Sequence, residues 1–170
     1  FYDESFFFRY ARALHRAGDP VDAMAVHLYP VDTTKGPDAR AESIRAAQRV
    51  LNKLGVNRPL WDTEVNYGDR RAGLPQVVPE PQTAATYVAR TYLDSATLGI
   101  ARTYWYGWDL SVLGIDMVDA NGITPAGTAF VTVRGWLTGA RPAGCWDAGG
   151  IRRCAFTAAN GSAFTVVWAT

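Results

Sequence analysis

Phe6 to Ala17 alternates apolar and basic positions at helical spacing, and Gly18-Asp19-Pro20 stops the segment. Val21 to Tyr29 is a near-continuous apolar run that ends at Pro30. A strand buried on both faces reads this way. Asp38 to Leu54 carries Ile44, Ala47, Val50, Leu51 and Leu54 on one stripe, and Gly55 follows as a C-terminal stop. Arg58 to Val65 is the next predicted strand. A turn-rich loop comes after it, with Gly68, Gly73, Pro75, Pro79 and Pro81. Thr83 to Leu98 is a predicted helix, with Gly99 just past its end, and Ala101 to Gly107 a third strand. Thr124-Pro125 opens a last helix that runs to Leu137, with proline near its first position.

Strands alternating with amphipathic helices imply a parallel sheet. After residue 140 the pattern changes. Arg141 to Trp146, Ile151 to Ala158 and Ala163 to Trp168 read as short strands, joined at Gly149-Gly150 and Asn160-Gly161. The expected organisation is therefore an α/β region over residues 1–139 and a small antiparallel β appendage over 140–170. Three strand–helix units do not close a barrel. They make either a small open α/β domain or the last part of a longer βα barrel. Phe1, Tyr2, Phe6, Phe7 and Phe8 crowd the start of the chain and need something to pack on, which favours the barrel.

Composition narrows the class. The chain has 170 residues, 48% of them apolar and 12% aromatic, enough for a sizeable core. This excludes a disordered, collagen-like or disulfide-framework chain. A formal charge of +1 gives no electrostatic case for nucleic acid. No apolar run reaches the roughly 18 residues of a membrane span, and Asp3 and Glu4 stand where a signal peptide would be basic. Cys145 and Cys154 flank the predicted turn at 149–150. A disulfide across that hairpin is sterically reasonable and implies an oxidising compartment; two unpaired thiols are the alternative. No zinc spacing occurs, no glycine-rich phosphate loop follows any strand, and Lys35 and Lys53 fall on a loop and a helix. No cofactor is implied.

Candidate chemistry sits at the C-terminal ends of the three predicted strands: His27-Leu28-Tyr29, Glu64-Val65-Asn66 and Trp105-Tyr106-Gly107-Trp108. Active sites of βα barrels lie at that end. Strict alternation groups the side chains. If Glu64 faces inward, so do Leu60 and Asp62, and Trp61 and Thr63 face the helices. An inward His27 brings Ala23, Ala25 and Tyr29, and an inward Trp105 brings Thr103 and Ala101.

These motifs resemble the last three strands of clan A retaining glycoside hydrolases, with families 39 and 5 the nearest. Val-Asp-Ala-Met-Ala-Val-His-Leu-Tyr-Pro (21–30) is similar to their sixth strand. Arg-Pro-Leu-Trp-Asp-Thr-Glu-Val-Asn-Tyr-Gly (58–68) is similar to the seventh, and Thr-Tyr-Trp-Tyr-Gly-Trp-Asp (103–109) to the eighth. The resemblance covers about residues 6–140. It implies the C-terminal portion, about strands six to eight, of a (β/α)8 TIM barrel. It implies Glu64 as nucleophile, with His27 and Tyr29 bonded to it or to the sugar. Trp105 would stack on the sugar ring, and Asn66, Trp108 and Asp109 would bind substrate, with Asp116 in the same loop. Asp62 departs from the pattern, which has an apolar residue between Trp and Thr, so an inward carboxylate there needs a partner.

A second departure is larger. Retaining hydrolysis uses a second carboxyl as acid/base, carried in this clan by an Asn-Glu pair that the chain lacks. The implied partners are a carbohydrate substrate and the N-terminal half of the same barrel, and the implied setting is secreted or cell-envelope. This chain alone is then expected to be inactive. The alternative is a non-catalytic carbohydrate-binding or structural half-barrel.

Overall fold

The computed structural model describes residues 3–30, 32, 35–73, 77–109 and 112–169. Phe1, Tyr2 and Pro75 of the sequence reading lie outside them. The elements follow the expected order. Helix α1 is Glu4–Arg16, strand β1 Met24–His27, helix α2 Pro37–Leu54 and strand β2 Leu60–Val65. Helix α3 is Pro81–Thr97 and strand β3 Arg102–Trp105. Two-residue strands β4 (Val118–Asp119) and β5 (Gly122–Ile123) precede helix α4, Pro125–Leu137. Strands β6 (Arg141–Ala148), β7 (Ile151–Thr157) and β8 (Ala163–Ala169) complete the chain.

Local chemistry sets the helix ends. The Asp3 carboxylate accepts the Phe6 N–H at 2.8 Å and starts α1. The Thr124 hydroxyl accepts the Gly127 N–H at 3.0 Å and starts α4. Each is an N-cap that satisfies an orphan donor. Pro37, Pro81 and Pro125 open their helices, where the missing N–H costs nothing. Gly55 ends α2 in the left-handed region, at φ 73°.

Strands β1, β2 and β3 form one parallel sheet in that order. The helices cover one face. Phe7 and Ala11 of α1, Met24 and Val26 of β1, Ile44, Ala47 and Leu51 of α2, and Leu60 of β2 make one buried cluster. Val65, Tyr67, Ala84, Val88, Met117 and Ala126 make a second, joining β2 to α3 and α4. On the other face Ala25, His27, Arg102 and Tyr104 are exposed. The Arg102 guanidinium lies 4.7 Å from the Trp61 ring centroid on that face.

Alternation does not run straight through β2. Val26 pairs with Asp62, but the next residue, His27, pairs with Glu64. Across the other ladder Asp62 pairs with Thr103 and Val65 with Trp105. One residue too many sits on β2 in both ladders, which is a β-bulge. Leu60 and Asp62 therefore face the helices, Trp61 faces the open side, and beyond the bulge Glu64 takes the open side while Val65 returns to the core. This corrects the expected facing, in which Glu64 shared a side with Leu60 and Asp62. Trp105 and Thr103 do share a side, but it is the helix side: Trp105 packs on the second cluster and the Thr103 hydroxyl donates to Ser95 Oγ of α3 at 2.8 Å.

The antiparallel sheet β6-β7-β8 has the expected hairpins, and the Cys145–Cys154 disulfide joins directly paired residues. Cys154 and Phe156 of β7, with Val166 and Trp168 of β8, pack against Leu93 of α3 and Val133 of α4. The Arg90 guanidinium of α3 lies 5.3 Å from the Trp168 ring. The β4–β5 hairpin was not expected; its Asn121-Gly122 step is the turn signal in the sequence. No described helix is long and apolar enough to cross a membrane.

Candidate active site

The C-terminal ends of β1 and β2 and the loops after β2 and β3 enclose a cleft of about 250 Å³. His27, Tyr29, Glu64 and Asn66 line it, joined by Tyr106, Arg71, Val112 and Leu113. Glu64 is the only carboxylate among the described residues of its lining.

Glu64 is held on one side. The Tyr29 hydroxyl donates to Glu64 Oε1 at 2.5 Å, and the second oxygen lies 3.8 Å from His27 Nδ1, beyond direct hydrogen-bond reach. The Glu64 side chain is 32% exposed and that of His27 49%, so both reach the cleft. Burial pushes the Tyr29 phenol well above its ordinary value, and the hydrogen bond to the Glu64 carboxylate adds to the rise. Tyr29 therefore stays a donor across the neutral range. His27 and Tyr29 meet edge to face, with centroids 6.4 Å apart.

Asn66 does different work from its neighbours. It is 1% exposed, and both ends of its amide are engaged. Nδ2 donates to the carbonyls of Tyr106 and Ile115, the latter at 2.8 Å, and Oδ1 accepts the Tyr67 N–H at 2.6 Å. It ties the loop after β3 to the end of β2. The two loops cross at Gly68 and Gly114: a Cβ on Gly114 would lie 2.7 Å from the Tyr67 carbonyl oxygen and 2.9 Å from the Gly68 Cα. Arg71 stands at the rim with its guanidinium on the Asp69 carboxylate, at 2.5 Å. That pairing holds the Asp69 carboxyl below the usual carboxylate range.

Four other expected residues stand apart from Glu64. Trp105 and Trp108 line a separate groove with Tyr92, Tyr104 and Phe130. Trp108 meets Phe130 edge to face at 5.5 Å. Asp109 is exposed in the loop after β3, outside both linings. Asp116 pairs with Arg70, away from the cleft. Tyr106, which strand-end reading passed over for Trp105, lines the cleft with Glu64. Counting alternate positions from the helix-facing Thr103 would have found it. Arg71 carried no signal, because a loop has no period to read.

Beneath the cleft lies a buried polar network. Asp62 and Arg40 are both 0% exposed. Arg40 donates to Asp62 Oδ2 from Nε at 2.9 Å and Nη2 at 2.7 Å. Its remaining N–H groups reach Ser95 Oγ and the Thr91 carbonyl. Asp62 Oδ1 accepts the Leu28 N–H at 3.1 Å. Burial pushes the Asp62 carboxyl up, against the pull of Arg40 and of the Leu28 and Glu64 N–H groups.

No family model matches the chain, and no curated protein does. Solved structures do match. A family 39 glycoside hydrolase from the gut symbiont Bacteroides cellulosilyticus WH2 superposes with a TM-score of 0.66 and 19% identity, over 93% of this chain and 36% of the other. A family 128 (subgroup I) endo-β-1,3-glucanase from Amycolatopsis mediterranei, in complex with laminaritriose, superposes with a TM-score of 0.53 and 21% identity, over 74% of this chain and 50% of the other. The chain thus shares the fold of part of these enzymes and spans about a third to a half of their length.

Proposed function

We propose that the chain is the C-terminal part of a retaining glycoside hydrolase barrel in which Glu64 is the nucleophile. The observation that carries this reading is the Tyr29–Glu64 hydrogen bond at the mouth of a cleft at the C-terminal strand ends. The likeness in fold to two glycoside hydrolase families supports it. The substrate class is a glycoside or polysaccharide, with β-1,3-glucan the first to test. The exposed face of β1–β3 is then the inner wall of a barrel that further strand–helix units close. The disulfide fits an extracellular setting.

The mechanism follows from the donors. Tyr29 fixes Oε1, which leaves Oε2 directed at the cleft. Glu64 attacks the anomeric carbon, the glycosidic C–O bond breaks, and the leaving oxygen takes a proton from the acid/base carboxyl. That carboxyl comes from the remaining units. Its conjugate base then removes a proton from water, which attacks the anomeric carbon and frees Glu64. Tyr29 remains neutral and keeps the carboxylate oriented through both steps. His27 lies close enough to bond a sugar hydroxyl, and Tyr106 supplies an aromatic wall.

The test is hydrolysis of laminarin and of p-nitrophenyl β-D-glucoside by the full-length protein and its Glu64→Gln variant. A loss of at least about 10³-fold in kcat with unchanged melting temperature is expected. Residual activity within about tenfold of the parent contradicts the assignment. A second reading, a carbohydrate-binding half-barrel without turnover, is favoured by the single described carboxylate in the cleft. Tight binding of laminari-oligosaccharides by a full-length parent that hydrolyses none of them would establish it.

A further inference from the structure

We propose that Asp62, held by Arg40, is the positioning residue that turns Glu64 out of the helix layer and onto the open face. The proposal rests on the reading of Glu64 as the working carboxylate and goes behind it. Period-2 alternation alone would put Glu64 on the side of Leu60 and Asp62, among the helices. The bulge between Asp62 and Val65 prevents this. Asp62 is the side chain bonded into that bulge.

Its two oxygens have separate duties. Oδ2 takes both N–H bonds from Arg40. Oδ1 is left for the backbone and takes the N–H of Leu28, between the two residues that face Glu64. A side-chain oxygen that accepts a backbone N–H takes a bond that regular strand pairing would use. The extra residue, Thr63, acts likewise from its hydroxyl, which donates to the Val26 carbonyl at 3.2 Å. Asp62 of β2 thus grips β1 at Leu28, beside the bulge, and so sets the spacing across which Tyr29 meets Glu64.

Arg40 makes this tolerable. An ionised carboxylate at 0% exposure needs a paired cation. Ser95, itself bonded to Thr103 of β3, fixes the guanidinium from α3. The network therefore runs from α2 and α3 through the middle of the sheet to the base of Glu64. A purely structural ion pair would not need the bond to Leu28.

The test compares three forms of the full-length protein: the parent, Asp62→Asn, and the apolar swap Asp62→Leu/Arg40→Met. Crystal structures, melting temperatures, and kcat and KM on laminarin are measured for each. The apolar swap fills the same space without burying a lone charge. Its expected structure has His27 paired with residue 63 and no Tyr29–Glu64 hydrogen bond, with kcat down about 100-fold and KM within about threefold. Asp62→Asn keeps an oxygen for the Leu28 N–H but turns its NH2 on the Arg40 guanidinium, so the melting temperature should fall while the bulge and most of kcat survive. Asp62→Val/Arg40→Leu is a second filling should the first not fold. An apolar swap that keeps both the bulge and the Tyr29–Glu64 bond overturns the proposal. Loss of that bond with kcat unchanged supports the positioning and instead removes Glu64 from the chemistry.

Discussion

At the scale of residues, Tyr29 and Glu64 define what the site can do. Removing the Tyr29 hydroxyl leaves the carboxylate one donor short without opening a large cavity. Tyr29→Phe should lower kcat on laminarin by about 10–100-fold and leave KM nearly unchanged. An unchanged kcat would show that the hydrogen bond is incidental. The same phenol also enters stability. The phenols of Tyr29, Tyr67 and Tyr92 are all pushed well above their ordinary value, burial being the largest cause for each. Above pH 10 the unfolded chain releases these protons while the folded chain retains them. The unfolded state then binds fewer protons, so stability falls as pH rises. Urea denaturation between pH 8 and 11 should show this decline, and Tyr92→Phe should flatten it; a slope indifferent to the substitution would contradict the account. His27, Tyr29 and Glu64 were legible as strand-end polar residues. Asp62 was legible only as a puzzle, because its partner Arg40 is 22 positions away on another element.

At the scale of elements, the sequence located every long helix and strand, because apolar period and end signals agree there. Ile44 and Val50 lie where the α2 stripe put them, in the core. The facing of β2 was not legible, since a bulge is a local hydrogen-bond event that leaves no trace in apolar alternation. It turned Glu64 away from the side that Trp105 keeps on its own regular strand, and so put Glu64 in a cleft lined by Tyr106 instead. Loop crossings were equally silent. Gly68 and Gly114 meet where the two cleft loops touch, and Gly114 has no room for a methyl group. Gly114→Ala should push the loops apart and destabilise the fold by about 1–3 kcal/mol. Substrate affinity should fall with it, as calorimetry with laminaritriose would show. Full affinity in the variant would mean that this crossing does not shape the cleft. The disulfide of β6 and β7 closes a loop of sequence separation 9. Its reduction should lower stability by up to about 2–3 kcal/mol, read as an earlier urea midpoint in dithiothreitol.

At the scale of the whole molecule, the three-stranded sheet is covered on one side only among the described residues. Its other side presents Ala25, His27, Trp61, Arg102 and Tyr104, a polar and aromatic wall with Glu64 at its upper end. A chain spanning about a third to a half of its structural neighbours fits this asymmetry. If Glu64 is the nucleophile as proposed, a second carboxyl from the remaining units faces it across the cleft at roughly 5–5.5 Å, the separation that retention requires. The central claim is that Glu64 forms a bond to sugar. Its most direct test is to incubate the full-length protein with 2,4-dinitrophenyl 2-deoxy-2-fluoro-β-laminaribioside, digest it, and read the labelled peptide by mass spectrometry. The account predicts one fluorodisaccharide adduct, on Glu64. An adduct on any other carboxylate, with Glu64 unmodified, would contradict it.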